Sequence, residues 1–329
     1  MRDYINNSYK FYIYFIKQDY NQPMKEKIKL LKKEISKQVI GHTEMVDALL
    51  IGLLTNGHIL LEGVPGLAKT TAVNAISKAL SLEFKRVQFT PDLLPSDIIG
   101  AEIYDVKSGE FKIKHGPLFT NLLLADEINR APAKVQSALL EVMQERQVTI
   151  GDTSFQIENP FLVLATQNPL EQEGAYTLPE AQLDRFMFKI VVGYNTELEE
   201  FEIAKKVANE EFESIEAVLS KDDLERIKQE VKAVHVEDEI TAYIVKLIFT
   251  TRESEYLKFG ASPRATIDML KAVKARAYLR GNDFVSPIDV ALCAKDILRH
   301  RIILNYEAIA QGLSADEVIE KVLEAVDVP

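Results

Sequence analysis

The stretch that decides the fold is Ile59-Leu60-Leu61-Glu62-Gly63-Val64-Pro65-Gly66-Leu67-Ala68-Lys69-Thr70. An apolar strand leads into a loop with two glycines, and the helical pattern Thr70–Leu80 follows the loop. This order of strand, loop and helix is the context that a phosphate-binding P-loop requires. Loop N–H groups and the positive end of the helix dipole attract a polyphosphate, which Lys69 would reach at its β- and γ-phosphates. The Thr70 hydroxyl is then placed to bind Mg²⁺, so we predict ATP and Mg²⁺ as the cofactors.

The predicted cradle departs from the strict pattern at one position, because glycine normally precedes the lysine and this chain has Ala68. Alanine is small and can take a helical conformation there, so we expect the cradle to stay intact. The alternative is a loop that matches the pattern by coincidence. The predicted nucleotide-binding residues of this segment are Gly63, Val64, Pro65, Gly66, Leu67, Ala68, Lys69, Thr70 and Thr71.

A second apolar strand, Leu122–Ala125, ends in the two carboxylates Asp126 and Glu127. The carboxyl ends of parallel strands are where α/β sheets bind ligands, so this strand would deliver Asp126 beside the cradle. We expect Asp126 to hold Mg²⁺ through water, and Glu127 to act as the general base for the attacking water. A solvated acidic turn after a core strand is the alternative, and the cradle earlier in the chain favours the catalytic interpretation.

Strand-like and helical segments alternate through the first two-thirds of the chain. The predicted strands are mostly continuous apolar runs, as in a parallel sheet that is buried on both faces; they are His58–Leu61, Lys85–Phe89, Leu122–Ala125, Phe161–Thr166 and Phe186–Val192. We predict an α/β fold of the P-loop NTPase type, with a five-stranded parallel sheet and helices on both faces. Two further segments, Gly109–His115 and a hairpin over Gln147–Ile157, are predicted to be insertions at the sheet edge.

The pattern becomes helical and strand-poor after about residue 194. Ser262-Pro263 and Ser286-Pro287 each place an N-cap residue before a proline at the first helical position. We therefore predict an N-terminal extension (1–23), an α/β nucleotide-binding domain (24–194) and an all-helical lid domain (195–329).

Composition narrows the classes of function. The net charge of −11 and the pI near 5.2 disfavour a surface that coats nucleic acid. The single cysteine, Cys293, fits a reducing cytoplasmic setting and is expected to be a small buried side chain. No apolar run approaches the roughly 20 residues that a membrane span needs, so no transmembrane segment is expected. The five histidines show no metal-ligand spacing.

Several motifs in fixed order resemble the MoxR family of AAA+ ATPases, over roughly residues 25–325. Beyond the cradle, the stretches that carry the resemblance are Ala125-Asp126-Glu127-Ile128-Asn129-Arg130-Ala131, Leu139–Thr149, Ala165-Thr166-Gln167-Asn168-Pro169 and Glu180-Ala181-Gln182-Leu183-Asp184-Arg185-Phe186. Alanine before the lysine is usual in that family, and the two insertions resemble those of its helix-2-insert group, which includes the motor subunits of magnesium chelatase.

The resemblance implies further roles for individual residues. Asn168 resembles sensor 1, which orients the attacking water, and Arg185 resembles an arginine finger that reaches the γ-phosphate of a neighbouring subunit. Arg264 resembles sensor 2 on the helical lid, and Val39-Ile40 the segment that lines the adenine pocket. Simpler alternatives remain open: Asn168 as a turn former before proline, Arg185 as a surface ion-pair residue, and Arg264 as decoration of a first helical turn.

The resemblance also implies a hexameric ring that remodels or matures client proteins, with a von Willebrand A-domain partner and an unknown client, and that can assist metal insertion. A nucleotide-gated assembly module, in which hydrolysis is incidental, is one competing hypothesis. A DNA-directed motor is another, although the acidic pI and the lack of a basic, aromatic stripe make nucleic acid an unlikely partner.

Overall fold

The computed structural model describes residues 24–64, 66–168 and 176–329. The predictions for the extension 1–23, for Pro65 and for Pro169 lie outside the described residues. In chain order the elements are α1 (Met24–Ser36), α2 (Thr43–Thr55), β1 (Ile59–Glu62), α3 (Lys69–Ala79), β2 (Phe84–Gln88), α4 (Pro95–Ile99), β3 (Gly100–Asp105), β4 (Glu110–His115), β5 (Leu122–Asp126), α5 (Ala133–Glu145), β6 (Gln147–Ile150), β7 (Thr153–Gln156), β8 (Leu162–Gln167), α6 (Glu180–Leu183), β9 (Phe188–Val191), α7 (Glu197–Ala208), α8 (Lys221–Ala233), α9 (Asp238–Glu253), β10 (Leu257–Phe259), α10 (Pro263–Leu279), α11 (Pro287–Leu298), β11 (Ile303–Leu304), α12 (Tyr306–Ala310) and α13 (Ala315–Ala325).

The predicted parallel sheet is confirmed, with strand order β2-β5-β8-β1-β9. Every neighbouring pair in it is parallel, and the predicted strand ends differ from the observed ones by at most two residues. Strands β1, β5 and β8 occupy the centre and are buried almost throughout, which explains why they are continuous apolar runs rather than alternating ones. Because all five strands run in one direction, their carboxyl ends meet at one edge of the sheet.

The two predicted insertions are antiparallel hairpins. Strands β3 and β4 pair from Gly100↔His115 to Asp105↔Glu110, and β6 pairs with β7 around the turn that contains Gly151. The first hairpin is largely exposed on both faces. Each hairpin therefore forms a two-stranded sheet of its own, separate from the five-stranded sheet.

Beyond β9 the chain is mostly helical, as predicted, and forms a C-terminal helical lid. One continuous cluster of buried apolar side chains extends from Met24 in α1 to Val326 after α13, and helix α2 packs against α10. Cys293 is fully buried within this cluster, as expected. The lid thus shares its core with the helices on one face of the sheet. None of the helices in the described ranges is both long and apolar enough to cross a membrane.

Candidate active site

A cleft of about 340 Å³ lies at the carboxyl ends of β1, β5 and β8. It contains the loop after β1, the acidic pair that ends β5 and the residue that follows β8. Its lining residues are Gly63, Gly66, Leu67, Ala68, Lys69, Thr70, Thr71, Arg86, Gln88, Asp126, Glu127, Thr166 and Asn168. The three segments that the sequence predicted to converge on a triphosphate therefore line one cavity.

The loop that leads into α3 has an unusual backbone. A side chain at Gly63 would lie 2.8 Å from the carbonyl oxygen of Val192, so only glycine fits there without a shift. Gly66 has φ +91°, in the region that favours glycine. Ala68 has φ 50° and ψ 17°, which is left-handed, so our expectation of an ordinary helical conformation at Ala68 was wrong. An alanine pays about 1–2 kcal/mol of steric strain in that region, because its Cβ approaches the following carbonyl.

Lys69 is the first residue of α3, and its Nζ donates a hydrogen bond to the carbonyl oxygen of Gly63 at 2.7 Å. Burial lowers the pKa of Lys69, and the nearby carboxylates of Asp126 and Glu127 partly oppose this shift. The ammonium therefore lies inside the loop and shares the cleft with two negative charges. A polyphosphate would replace the weak carbonyl partner with a charged one.

The Asp126 carboxylate has two partners from neighbouring strands. Thr166 on β8 donates its hydroxyl to Oδ1 at 2.6 Å, and Arg86 on β2 donates to Oδ2 from Nε at 3.1 Å and from Nη2 at 2.6 Å. The same Thr166 oxygen accepts a hydrogen bond from the Glu127 backbone N–H at 2.8 Å. Thr166 thus fixes both members of the acidic pair.

Glu127 has a left-handed backbone, with φ 56° and ψ 50°. Non-glycine residues in this conformation are strained and concentrate at functional sites. Its Oε2 accepts hydrogen bonds from Gln88 at 2.6 Å and from Arg130 at 3.0 Å. The side chain is therefore held beside the cleft, where a general base for water must lie.

Sequence reasoning missed three residues of the cleft: Arg86, Gln88 and Thr166. Side chains alternate along a strand, so Arg86 and Gln88 share one face of β2, where they meet Asp126 and Glu127 respectively. Two polar residues at this spacing on a strand next to the acidic one were the available signal. Thr166 lay within the quoted motif but received no role.

The oxygen donors in the cleft fit Mg²⁺, which binds through one or two protein oxygens, substrate phosphates and water. Thr70 supplies a hydroxyl and Asp126 a carboxylate, and both line the cleft. Among the described residues there is no group of three or more His, Cys, Asp or Glu side chains that could hold a metal ion.

The two predicted arginines lie elsewhere. Arg185 and Arg264 line a second cavity of about 260 Å³, together with Lys271 and with residues 55–58. Residues 55–58 immediately precede β1, and Arg185 lies three residues before the start of β9. This cavity is therefore at the amino ends of the strands, the opposite edge of the sheet from the cleft. Neither arginine is among the described residues that line the first cleft.

Of the predicted nucleotide-binding residues within the described ranges, three do not line the cleft. Val39 and Ile40 are almost completely buried, and the Ile40 carbonyl accepts a hydrogen bond from Asn195 at 3.1 Å. Val64 packs against the core cluster. An adenine-binding role for Val39 and Ile40 stays a prediction.

Comparison with known proteins agrees with this arrangement. Residues 58–188 match the family model "ATPase family associated with various cellular activities (AAA)", and residues 249–322 match the AAA lid domain. The Chaperone MoxR1 of Mycobacterium tuberculosis is 48% identical over 305 residues, which cover 90% of this chain and 81% of that protein. The chain belongs to the MoxR family of AAA+ ATPases.

Other relatives share nearly the whole length. The Protein MoxR of Methylorubrum extorquens is 28% identical over 327 residues, covering 91% of this chain and 94% of the relative. The crystal structure of a candidate ATPase from Cytophaga hutchinsonii superimposes with a TM-score of 0.88 at 51% identity, covering 93% of this chain and 96% of the other. This MoxR-family member is thus an ATPase with the sheet and lid of its relatives.

Proposed function

We propose that the protein forms a ring in which one subunit binds each ATP and the next subunit completes the ATP site. Lys69, Thr70 and Thr71 of one subunit would hold the phosphates, Thr70 and Asp126 would hold Mg²⁺, and Glu127 with Asn168 would activate and orient the attacking water. When bound, Mg²⁺ would offset the charge of the β- and γ-phosphates. Arg185 and Arg264 of the neighbouring subunit would stabilise the charge that develops on the γ-phosphate.

The position of the two arginines carries this proposal. They lie at the amino ends of β1 and β9, whereas the cleft lies at the carboxyl ends, and a four-residue strand such as β1 spans about 13 Å. An arginine at one edge of the sheet does not serve the cleft at the other edge of the same chain. A second copy of the chain would bring the two edges together, as an open or closed head-to-tail assembly requires.

The first experiment separates binding from hydrolysis. Glu127→Gln should abolish ATP hydrolysis and leave ATP affinity within about twofold, because the substitution removes the base and keeps the shape. Glu141→Gln, an exposed glutamate on α5, is the matched control and should turn over normally. A Glu127→Gln protein that hydrolyses ATP at the wild-type rate would remove the assignment of the base.

The second experiment tests the shared site. The rate per subunit should rise with protein concentration, and Arg185→Ala should lose hydrolysis. Mixing Arg185→Ala with Glu127→Gln should restore activity, since the first variant keeps its cleft and the second keeps its arginines. Randomly mixed in equal amounts, about a quarter of the interfaces then combine an intact cleft with intact arginines. A mixture that stays inactive would contradict the shared site.

The wider role rests on the relatives. We propose a chaperone-like activity, in keeping with the name of the mycobacterial relative, in which ATP turnover in a hexameric cytoplasmic ring remodels a client protein with help from a von Willebrand A-domain partner. Metal or cofactor insertion into the client is part of the same proposal. Stimulation of the ATPase rate by such a partner protein would support it, and an unchanged rate at saturating partner concentration would count against it.

A further inference from the structure

The segment that carries Arg185 is held by a cluster of lid side chains, Arg299, His300 and Arg301, which we name the clasp. Arg299 donates to the carbonyl of Lys189 at 2.6 Å, and His300 bonds the carbonyl of Phe186 at 2.9 Å. The three consecutive residues follow helix α11 and reach backbone oxygens of residues 184–189. Hydrogen bonds therefore connect the lid to β9 and to the segment that leads into it.

Within the clasp, Arg301 forms hydrogen bonds with the residues on both sides of Arg185. Its Nη2 donates to the carbonyl of Asp184 at 3.2 Å and to the carbonyl of Phe186 at 2.8 Å, which are the residues on either side of Arg185. Its Nε donates to the Asp184 carboxylate at 2.8 Å. The Arg301 side chain is only 1% exposed. A planar guanidinium with several hydrogen bonds and almost no solvent contact fixes the backbone that it touches.

Arg301 and Asp184 also contact the helix that carries Arg264, or the residue before it. Arg301 pairs with Asp268 at 2.6 Å, and Asp268 lies one turn after Arg264 on α10. The Asp184 carboxylate accepts hydrogen bonds from Ser262, the residue before α10, at 3.2 and 3.1 Å, and lies 3.8 Å from the Arg264 guanidinium. Arg185 lies in the segment that leads into β9, and Arg264 lies in the lid. The contacts of Arg301 and Asp184 therefore connect the two segments that carry these arginines.

We propose that Arg301 is a positioning residue that holds Arg185 and Arg264 in register as a pair for the neighbouring subunit's ATP. The inference rests on the proposed shared site and adds the element that sets its geometry. Arg301 does not touch the reacting groups; it acts through the backbone on both sides of Arg185 and through Asp268. Because a displacement of about 1 Å in a catalytic group can reduce the rate by up to a hundredfold, loss of this support should be visible in kcat.

The test uses Arg301→Lys in the full chain, because lysine keeps the buried positive charge but cannot bond several carbonyls in one plane. We expect ATP affinity to stay within about twofold, and kcat to fall by about tenfold or more. Asp268→Asn, a milder change that leaves the Asp184 bonds in place, should reduce kcat in the same direction by a smaller factor. Arg299→Lys is the matched control, since Arg299 is also largely buried in the clasp but bonds Lys189 and lid carboxylates rather than the residues that flank Arg185. It should lower the melting temperature and leave kcat within about twofold of wild type.

A purely structural role for Arg301 is separated from a positioning role by mixing. Arg301→Lys subunits should regain hydrolysis when mixed with Glu127→Gln subunits, because their own clefts are intact and the partner's arginines are correctly placed. A general folding defect in Arg301→Lys would not be repaired by a neighbour. If Arg185→Ala is rescued by Glu127→Gln and Arg301→Lys is not, the positioning role is overturned while the shared site stands. If neither is rescued, the shared site fails and the inference fails with it. A wild-type kcat for Arg301→Lys alone would also overturn it.

Discussion

Replacing Ala68 with glycine should stabilise this protein, although the same change in an ordinary helix destabilises it. Ala68 has φ 50° and ψ 17°, a left-handed conformation at the residue just before Lys69. Removing the Cβ relieves about 1–2 kcal/mol of steric strain. Glycine also gives the unfolded chain more conformations, which costs about 0.4–1 kcal/mol of stability. The midpoints of these two ranges differ by about 0.8 kcal/mol, so we expect a net stabilisation of about that size.

Ala204→Gly is the matched control, and it should change the free energy of unfolding in the opposite direction. Ala204 is exposed in the interior of helix α7, so the substitution removes neither strain nor packing. Glycine in an exposed helix interior costs about 0.8–1 kcal/mol relative to alanine. The two substitutions therefore make the same chemical change and should move the free energy of unfolding in opposite directions.

The assay is urea denaturation without nucleotide, followed by far-UV circular dichroism because the sequence contains no tryptophan. Ala68→Gly should raise the midpoint and Ala204→Gly should lower it, both with an unchanged slope. If Ala68→Gly destabilises the protein as much as the control does, Ala68 is not left-handed in the folded chain. The cradle geometry described above would then be wrong at the residue that precedes Lys69.

Two further substitutions test the residues that support the acidic pair. Arg86→Met should lower the Mg²⁺ concentration for half-maximal ATPase activity by about fivefold, since an exposed ion pair worth about 1 kcal/mol no longer competes for Asp126. Lys85→Met alters a cation on the other face of the same strand and should leave that concentration unchanged. An unchanged concentration in both variants would exclude the competition. Thr166→Val should lower kcat by roughly tenfold because it removes a donor to Asp126 and an acceptor for the Glu127 N–H. Thr166→Ser keeps the hydroxyl and should keep most of the activity. Equal losses of kcat in the two variants would show that the hydroxyl is not the group that matters.

The sheet and the cleft were largely predictable from the sequence because their signals are local. A strand buried on both faces is a continuous apolar run, and a parallel sheet brings every carboxyl end to one edge. Once Lys69, Asp126 and Asn168 were each placed after such a run, their convergence followed from topology alone. The backbone at Ala68 was not predictable in this way, because residue size indicates what fits in a loop and not which φ the loop imposes.

The support of the site was not predictable, since it depends on contacts between distant parts of the chain. Arg86 meets Asp126 only because β2 pairs beside β5, and the position of β2 at the sheet edge is a matter of strand order. Arg301 meets Asp184 across more than a hundred residues, and nothing in its local sequence distinguishes it from Arg299. A buried arginine is costly unless every donor finds an acceptor. Arg301 meets that requirement with the carboxylates of Asp184 and Asp268 and with backbone carbonyls that include the two beside Arg185. The stability of the lid contact and the placement of Arg185 therefore depend on shared bonds. Arg301→Lys removes these bonds, whereas Arg299→Lys weakens the lid contact at Lys189 and leaves the residues beside Arg185 in place. Comparing the two variants therefore tells a packing residue from one that sets the rate.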